Sequence, residues 1–255
     1  MENDTLVNKN AWEYRAYEFW TMRDGSPSEK AAQIKQNPSA CLKYHQKYFT
    51  NIDGLKIANP CGSNGRKAVP LALMGSDVTV FDISEENKQY ALELAQSAGV
   101  SIHYEVCDFY KIDLNIYNSY FDIAYLEGGI LHYFHDINKF ANVLYQIIKP
   151  NGKLILSDFH PFRKIIPIGQ SGKNAEVTKG NYFDCEIHTG SVAYKNYFPQ
   201  DEQTVFPNCS LRFYTLSEII NAFINEGFII KEFNEHPNWD DPRLPGEFTI
   251  YATKS

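Results

Sequence analysis

Between Leu55 and Asp158, short apolar runs of strand length alternate with longer segments of helical period. This alternation constrains the fold more than any other feature of the chain. The runs are Leu55–Asn59, Asp77–Asp82, Ile102–Val106, Phe121–Leu126 and Lys153–Asp158. Asp77–Asp82 is β-branched and apolar between charged ends, as a parallel strand buried on both faces should be. Between the runs, Gly62–Met74 reads as a helix that Pro70 must kink or delay. Ser84 can cap a helix whose Ala91, Leu94, Ala95 and Ala98 share a face and which Gly99 stops. Ile137, Phe140, Leu144, Ile147 and Ile148 form another stripe, ended by Pro150-Asn151-Gly152. Strands alternating with such helices give right-handed βαβ units and an α/β, Rossmann-like, mostly parallel sheet with helices on both faces.

The flanks divide the chain into regions. Residues 1–50 read as a helical cap: an aromatic helix over Ala11–Met22, a second after Ser26-Pro27, and a third after Asn37-Pro38-Ser39 running to Phe49. Residues 51–160 form the core. Residues 161–210, with Gly169, Gly172, Gly180 and Gly190 and a strand near Glu186–Tyr197, read as a lid insertion over an acceptor. Residues 211–255 close the core with a helix capped by Thr215 and Glu218 and with strands Phe228–Phe233 and Phe248–Thr253.

Ligands in such sheets bind beyond the carboxyl ends of the strands, where strand order reverses. The first turn there is Asn59-Pro60-Cys61-Gly62-Ser63-Asn64-Gly65. Gly62 and Gly65 allow close backbone approach, and Asn64 tolerates a left-handed conformation. Asp82, at the tip of the second strand, is placed to accept both ribose hydroxyls of an adenosine. Asp108 is placed for the adenine amino group, with Ile83 or Phe109 on the purine face. Glu127 and Gly128 follow the fourth strand on the same rim. A glycine turn alone is a weak signal; its combination with acids at two strand ends is a strong one.

These pieces resemble the core of a class I S-adenosylmethionine-dependent methyltransferase. The resemblance rests on Cys61–Gly65, Val78–Ser84, Val106–Phe109, Phe121–Phe134 and Ile147–Asp158, the last with its Lys-Pro-Asn-Gly-Lys-Leu turn. It implies a seven-stranded sheet, S-adenosylmethionine as cofactor, and methyl transfer to a nitrogen or oxygen of a small molecule. The chain departs from the family pattern in the first turn. Ala58 stands where the family has an acid, Pro60 replaces the first glycine, and Asn64 the third. Backbone carbonyls or Asn59 must then receive the ammonium of the methionine end, with Ser63 another cofactor-binding residue of the turn. The resemblance also implies an N-terminal aromatic helix over the cofactor, with Tyr14 and Trp20 as sealing rings. His132 and His160, just past the fourth and fifth strands, are the candidate bases, since histidine accepts protons near neutral pH. His45 reads as a surface helix residue, and no ligand spacing supports a metal site.

Composition narrows the alternatives. The net charge of −7 without a basic tract argues against nucleic-acid and membrane partners. No apolar run approaches the ~20 residues of a membrane span. Five widely spaced cysteines without Cys-x-x-Cys suggest reduced thiols in a cytoplasmic protein. A nicotinamide oxidoreductase lacks its third glycine here, whereas a non-catalytic S-adenosylmethionine-binding protein stays open. The acceptor's identity and the oligomeric state are not legible in the sequence.

Overall fold

The computed structural model describes residues 2–165 and 180–255; the centre of the expected lid insertion, with Gly169 and Gly172, lies outside the described residues. Among the described residues, nine strands form two sheets. In chain order they are β1 (Lys56–Pro60), β2 (Asp77–Asp82), β3 (His103–Val106), β4 (Phe121–Glu127), β5 (Ile148–Phe159), β6 (Ile187–Ser191), β7 (Asn208–Arg212), β8 (Phe228–Pro237) and β9 (Pro245–Lys254). The main sheet has seven strands in the order β3-β2-β1-β4-β5-β9-β8. β9 runs antiparallel to both its neighbours and the other pairings are parallel. Strand order reverses between β1 and β4, so the cleft opens where their carboxyl ends part.

Helices cover both faces. On one, α7 (Ile137–Ile147) and α8 (Leu216–Asn225) bury Phe140, Leu144 and Phe223 against Phe121, Leu154 and Phe248. On the other, α4 (Ala68–Leu73), α5 (Glu85–Ala98) and the segment Ser39–Tyr48 bury Leu71, Ala91 and Leu42 against Ile57, Val78 and Ile155. The expected caps form. Ser84 accepts from Asn87 N at 3.1 Å, Gly99 closes α5 in the left-handed region, and Thr215 and Glu218 make a reciprocal capping box.

Several boundaries differ from the sequence expectation. The aromatic segment is two helices, α1 (Glu2–Glu13) and α2 (Ala16–Asp24), broken at a left-handed Arg15. Arg15 is held there by Glu18 and Glu202 and by the ring of Phe198, contacts that no local pattern announces. α3 (Pro27–Gln36) starts at the expected Ser26 cap. Ser39–Tyr48 is a 3-10 segment kinked at Lys43. α4 begins only at Ala68, which puts Pro70 in its first turn, where its missing N–H costs little. β7 pairs with β6 where no strand was expected, and the β8–β9 hairpin is longer at its turn end.

His45 corrects a surface assignment. It is 1% exposed and spans the sheet face between the Tyr125 hydroxyl, 2.9 Å from Nδ1, and Thr249 Oγ1, 3.0 Å from Nε2. The α1–α2 region and the β6–β7 ribbon share a third apolar cluster, in which Phe19 stacks on Tyr194 at 4.6 Å. The Tyr194 hydroxyl donates to the carbonyls of Ala11 and Tyr14. The α1–α2 region and the described residues around the β6–β7 ribbon therefore pack together.

Gly65 has φ +76° and a Cβ there would lie 2.9 Å from Ala91 Cβ on α5. Gly65→Ala is expected to lower unfolding free energy by about 1–3 kcal/mol in urea titrations. A loss under about 0.5 kcal/mol would mean that the turn yields freely.

Candidate active site

The cleft beyond β1 and β4 encloses a cavity of about 510 Å³. Asp82 sits at the tip of β2, buried to 9% exposure. Its Oδ2 accepts from Ser63 N at 3.0 Å, and its Oδ1 from Ser84 N and Asn87 Nδ2, both at 3.1 Å. Burial pushes its carboxyl above the ordinary carboxylate range, against the pull of these donors. Asn87 Oδ1 in turn accepts from Trp20 Nε1 at 2.7 Å, tying the cap to the carboxylate. Asp108 accepts from Tyr110 N at 3.0 Å and from Thr5 Oγ1 at 3.3 Å. Ile83 and Phe109 line the cavity beside these acids.

The first turn is wound tightly. Cys61 and Ser63 adopt φ of 53° and 50°, a left-handed path that Gly62 between them makes feasible. A Cβ on Gly62 would overlap Asn59 Oδ1 and lie 2.8 Å from Val80 Cγ1. Asn59 donates to the Tyr125 carbonyl at 2.8 Å, while its Oδ1 and Ser63 Oγ are buried without a partner.

At the end of β4, Glu127 meets three cations: Lys67 at 3.2 Å, Arg66 at 3.7 Å and Lys43 at 3.9 Å. Burial opposes its ionisation, but Lys67, Arg66 and Lys43 together hold its carboxyl below the ordinary range. Gly128 and Gly129 follow with φ of 95° and 68°, and the Phe159 ring packs over Gly129.

Of the residues singled out in the sequence, Trp20, Asn59, Gly62, Ser63, Asp82, Ile83, Asp108, Phe109, Glu127 and Gly128 line this cavity. The structure places the others elsewhere. Tyr14 packs edge-on against Phe206 at 4.9 Å, because the break at Arg15 turns it from the line of Trp20. Trp12 takes the wall position instead. Asn64 is fully buried and donates to Asp24 Oδ2 at 3.2 Å, and Gly65 packs on α5. His132 lies off the cavity wall with its ring against Tyr133 at 4.2 Å and near Phe213 at 6.1 Å. Burial, with Arg163 adding, lowers its pKa to about 4. His160 is also off the wall: its Nδ1 accepts from Phe162 N at 3.2 Å and its Nε2 faces Glu235 Oε1 at 3.0 Å.

The sequence reading missed Lys43, Arg66, Lys67 and Glu247. Arg66 and Lys67 directly follow Gly65, a signal that was available. Lys43 reaches the cleft only through the kink in its 3-10 segment, and Glu247 only through the hairpin's return. Glu247 is 8% exposed, and the Tyr44 hydroxyl donates to its Oε2 at 2.6 Å.

Residues 60–156 match the methyltransferase domain family. A ubiquinone biosynthesis O-methyltransferase of Rickettsia canadensis is 29% identical over 122 residues, 48% of this chain and 50% of the relative. The Rickettsia conorii protein of the same name is 28% identical over 124 residues, 49% of this chain and 42% of its own. The chain thus spans about half the length of the curated relatives it matches. Among solved structures, the magnesium protoporphyrin IX methyltransferase of Synechocystis PCC 6803 with bound S-adenosylhomocysteine superposes with a TM-score of 0.61. It is 15% identical and covers 99% of this chain and 100% of its own. A Mesorhizobium loti S-adenosylmethionine-dependent methyltransferase gives 0.59 at 20% identity, over 82% of this chain and 97% of its own. At these identities the likeness is one of fold.

Buried beside the cleft, His45 has its pKa lowered to about 3, chiefly by burial. Its folded pKa lies below the unfolded value, so its stabilising contribution is full above pH 6.5 and is lost as pH falls towards 3. The His45 ring resonances are expected to stay unshifted from pH 7.5 to 5 in NMR titration. Over the same range His45 should account for about 1–2 kcal/mol of lost stability. A midpoint near 6.5 would remove this account.

Proposed function

We propose that the protein, whose residues 60–156 match the methyltransferase domain family, is a class I S-adenosylmethionine-dependent methyltransferase that methylates a nitrogen or oxygen atom of a small molecule. One observation carries the reading. A single cavity runs from the carboxylates at the ends of β2 and β3, past the β1 turn and Glu127, to an aromatic and acidic end at Phe159, Trp239 and Glu247. That layout has room for an adenosine at one end and an acceptor at the other.

The residues present fit S-adenosylmethionine. Asp82, its oxygens fixed by three donors, is set to receive ribose hydroxyls without rearrangement. Asp108, Ile83 and Phe109 suit the adenine edge and face. Asn59 Oδ1 and Ser63 Oγ are orphaned polar atoms along the turn a cofactor would follow. When bound, the cofactor supplies an electrophilic methyl group on a positively charged sulfur. The protein's part is to align the acceptor and keep water out. Trp12, Trp20 and Tyr194, brought over the cleft by the cap and the β6–β7 ribbon, exclude water.

The reading assigns proton removal to Glu247 rather than to His132 or His160, neither of which reaches the cavity wall. Glu247 is a buried carboxylate on that wall, and among the described residues it has no ion-pair partner, only the Tyr44 hydroxyl. A carboxylate on a cavity wall within reach of a bound acceptor is a candidate general base. Glu247 would take the proton that a hydroxyl or amine acceptor loses on methylation.

Calorimetric titration with S-adenosylmethionine, with NAD as the contrast, tests the cofactor. Asp82→Ala is expected to weaken S-adenosylmethionine binding by about 1.5–3 kcal/mol. An unchanged dissociation constant would sink the ribose assignment, and binding of NAD in preference would sink the class. Glu247→Gln is expected to slow single-turnover methyl transfer about 10²–10⁴-fold with cofactor affinity kept within about twofold. A rate that survives the change would leave acceptor positioning as the whole of catalysis.

A further inference from the structure

The family pattern places an acid at the end of the first strand, and this chain has Ala58 there. Resting on the cofactor reading above, we propose that Arg66 and Lys43 form a carboxylate clamp for the amino-acid end of the cofactor, with Glu127 as the counter-charge to its ammonium. The acid has in effect moved from β1 to the end of β4.

Charge and geometry carry this. Glu127, 6% exposed at its side chain, is met by three cations, which leaves two positive charges in excess. Lys67 is the built-in partner. It is 8% exposed, lies closest to Glu127 at 3.2 Å, and donates to the Cys41 carbonyl at 2.6 Å. Arg66 and Lys43 stand further off, at 3.7 and 3.9 Å, and their side chains are 34% and 58% exposed. Both line the cavity, and no other acid within the described residues pairs with either. They are cations brought to a cavity without a matching anion. An α-amino acid carries one anion and one cation at fixed separation, and an acid with two surplus bases beside it matches that pair. An arginine can grip a carboxylate with two parallel N–H donors.

The backbone supplies an independent observation. Lys43 has φ 52° and ψ −133°, outside the helical region, in the middle of its 3-10 segment. For a non-glycine residue this conformation is strained, and such strain concentrates where a side chain must be aimed. Here it aims Lys43 at Glu127. A Cβ on Gly128 would meet Arg66 Nη2 at 3.6 Å, an ordinary contact, which places the guanidinium directly beside the end of β4.

The test is calorimetry on the full chain with two ligands that share an adenosine. S-adenosylhomocysteine carries the amino-acid end and 5′-methylthioadenosine lacks it. The wild type is expected to prefer S-adenosylhomocysteine by at least about tenfold. In the Arg66→Gln/Lys43→Gln double variant its affinity should fall roughly ten- to hundredfold, with 5′-methylthioadenosine affinity unchanged within about twofold. The retained nucleoside affinity doubles as the control for folding. Should the double variant not fold, the exposed Lys43→Gln alone is read by the same ratio, with a smaller loss expected for S-adenosylhomocysteine only. The clamp is overturned if S-adenosylhomocysteine binding is undiminished, if both ligands weaken together in a folded variant, or if the wild type binds the two ligands equally. A wild type that binds neither ligand overturns the cofactor reading itself and the clamp with it.

Discussion

The Asp82 carboxylate ties the first turn, α5 and the N-terminal cap together. Its two oxygens take the backbone of the first turn through Ser63, the start of α5 through Ser84, and the Asn87 side chain. Through Asn87 they also hold Trp20 of the cap. A buried carboxylate is expensive unless its oxygens find donors, and here three donors from two elements, the first turn and α5, supply them. The result is a strand tip, a turn and a cap fixed relative to one another. A cavity wall held in this way presents the remaining face of the carboxylate in a set direction.

A second charge balance governs the other half of the cleft. Glu127 stays ionised in a buried place because Lys67 is buried with it; burial lowers the Lys67 ammonium as it would raise the carboxyl alone. Arg66 and Lys43 exceed what that pair requires. Excess charge is tolerable only where solvent or a ligand reaches it, and these two side chains are the more exposed members of the cluster. Glu247 shows the reverse imbalance, a buried acid with a hydroxyl as its partner. The cleft therefore has a cationic middle and an acidic far end, on a framework whose strands contribute almost only apolar side chains to the core.

The cap gives these charges their setting. Trp12, Phe19, Trp20 and Tyr194 share one apolar cluster, so the α1–α2 region and the β6–β7 ribbon close the cleft together. Two of the five aromatic residues between Ala11 and Met22 are thus ordinary packing: Tyr14 meets Phe206 and Tyr17 donates its hydroxyl to Glu93. The other three, Trp12, Phe19 and Trp20, face the cavity.

The sequence by itself determined the framework. Continuous apolar runs of strand length and apolar stripes of period 3.6, Ser26, Ser84 and Thr215 as caps, and Gly99 as a stop are local signals, and each is read within a few residues of where it acts. Asp82 and Asp108 were legible for the same reason: a residue at the end of a parallel strand has its position set by the sheet. The tertiary structure alone decided which side chains face the cavity once the chain leaves a strand. His132 and His160 lie just past strand ends, yet the left-handed pair Gly128-Gly129 and the packing of Phe159 and Phe248 turn them away. Lys43 and Glu247 arrive from segments some two hundred residues apart, joined by the Tyr44–Glu247 hydrogen bond at a separation of 203. No periodicity encodes such a meeting, because direction beyond a strand end depends on turn dihedrals and on contacts with elements distant in the chain.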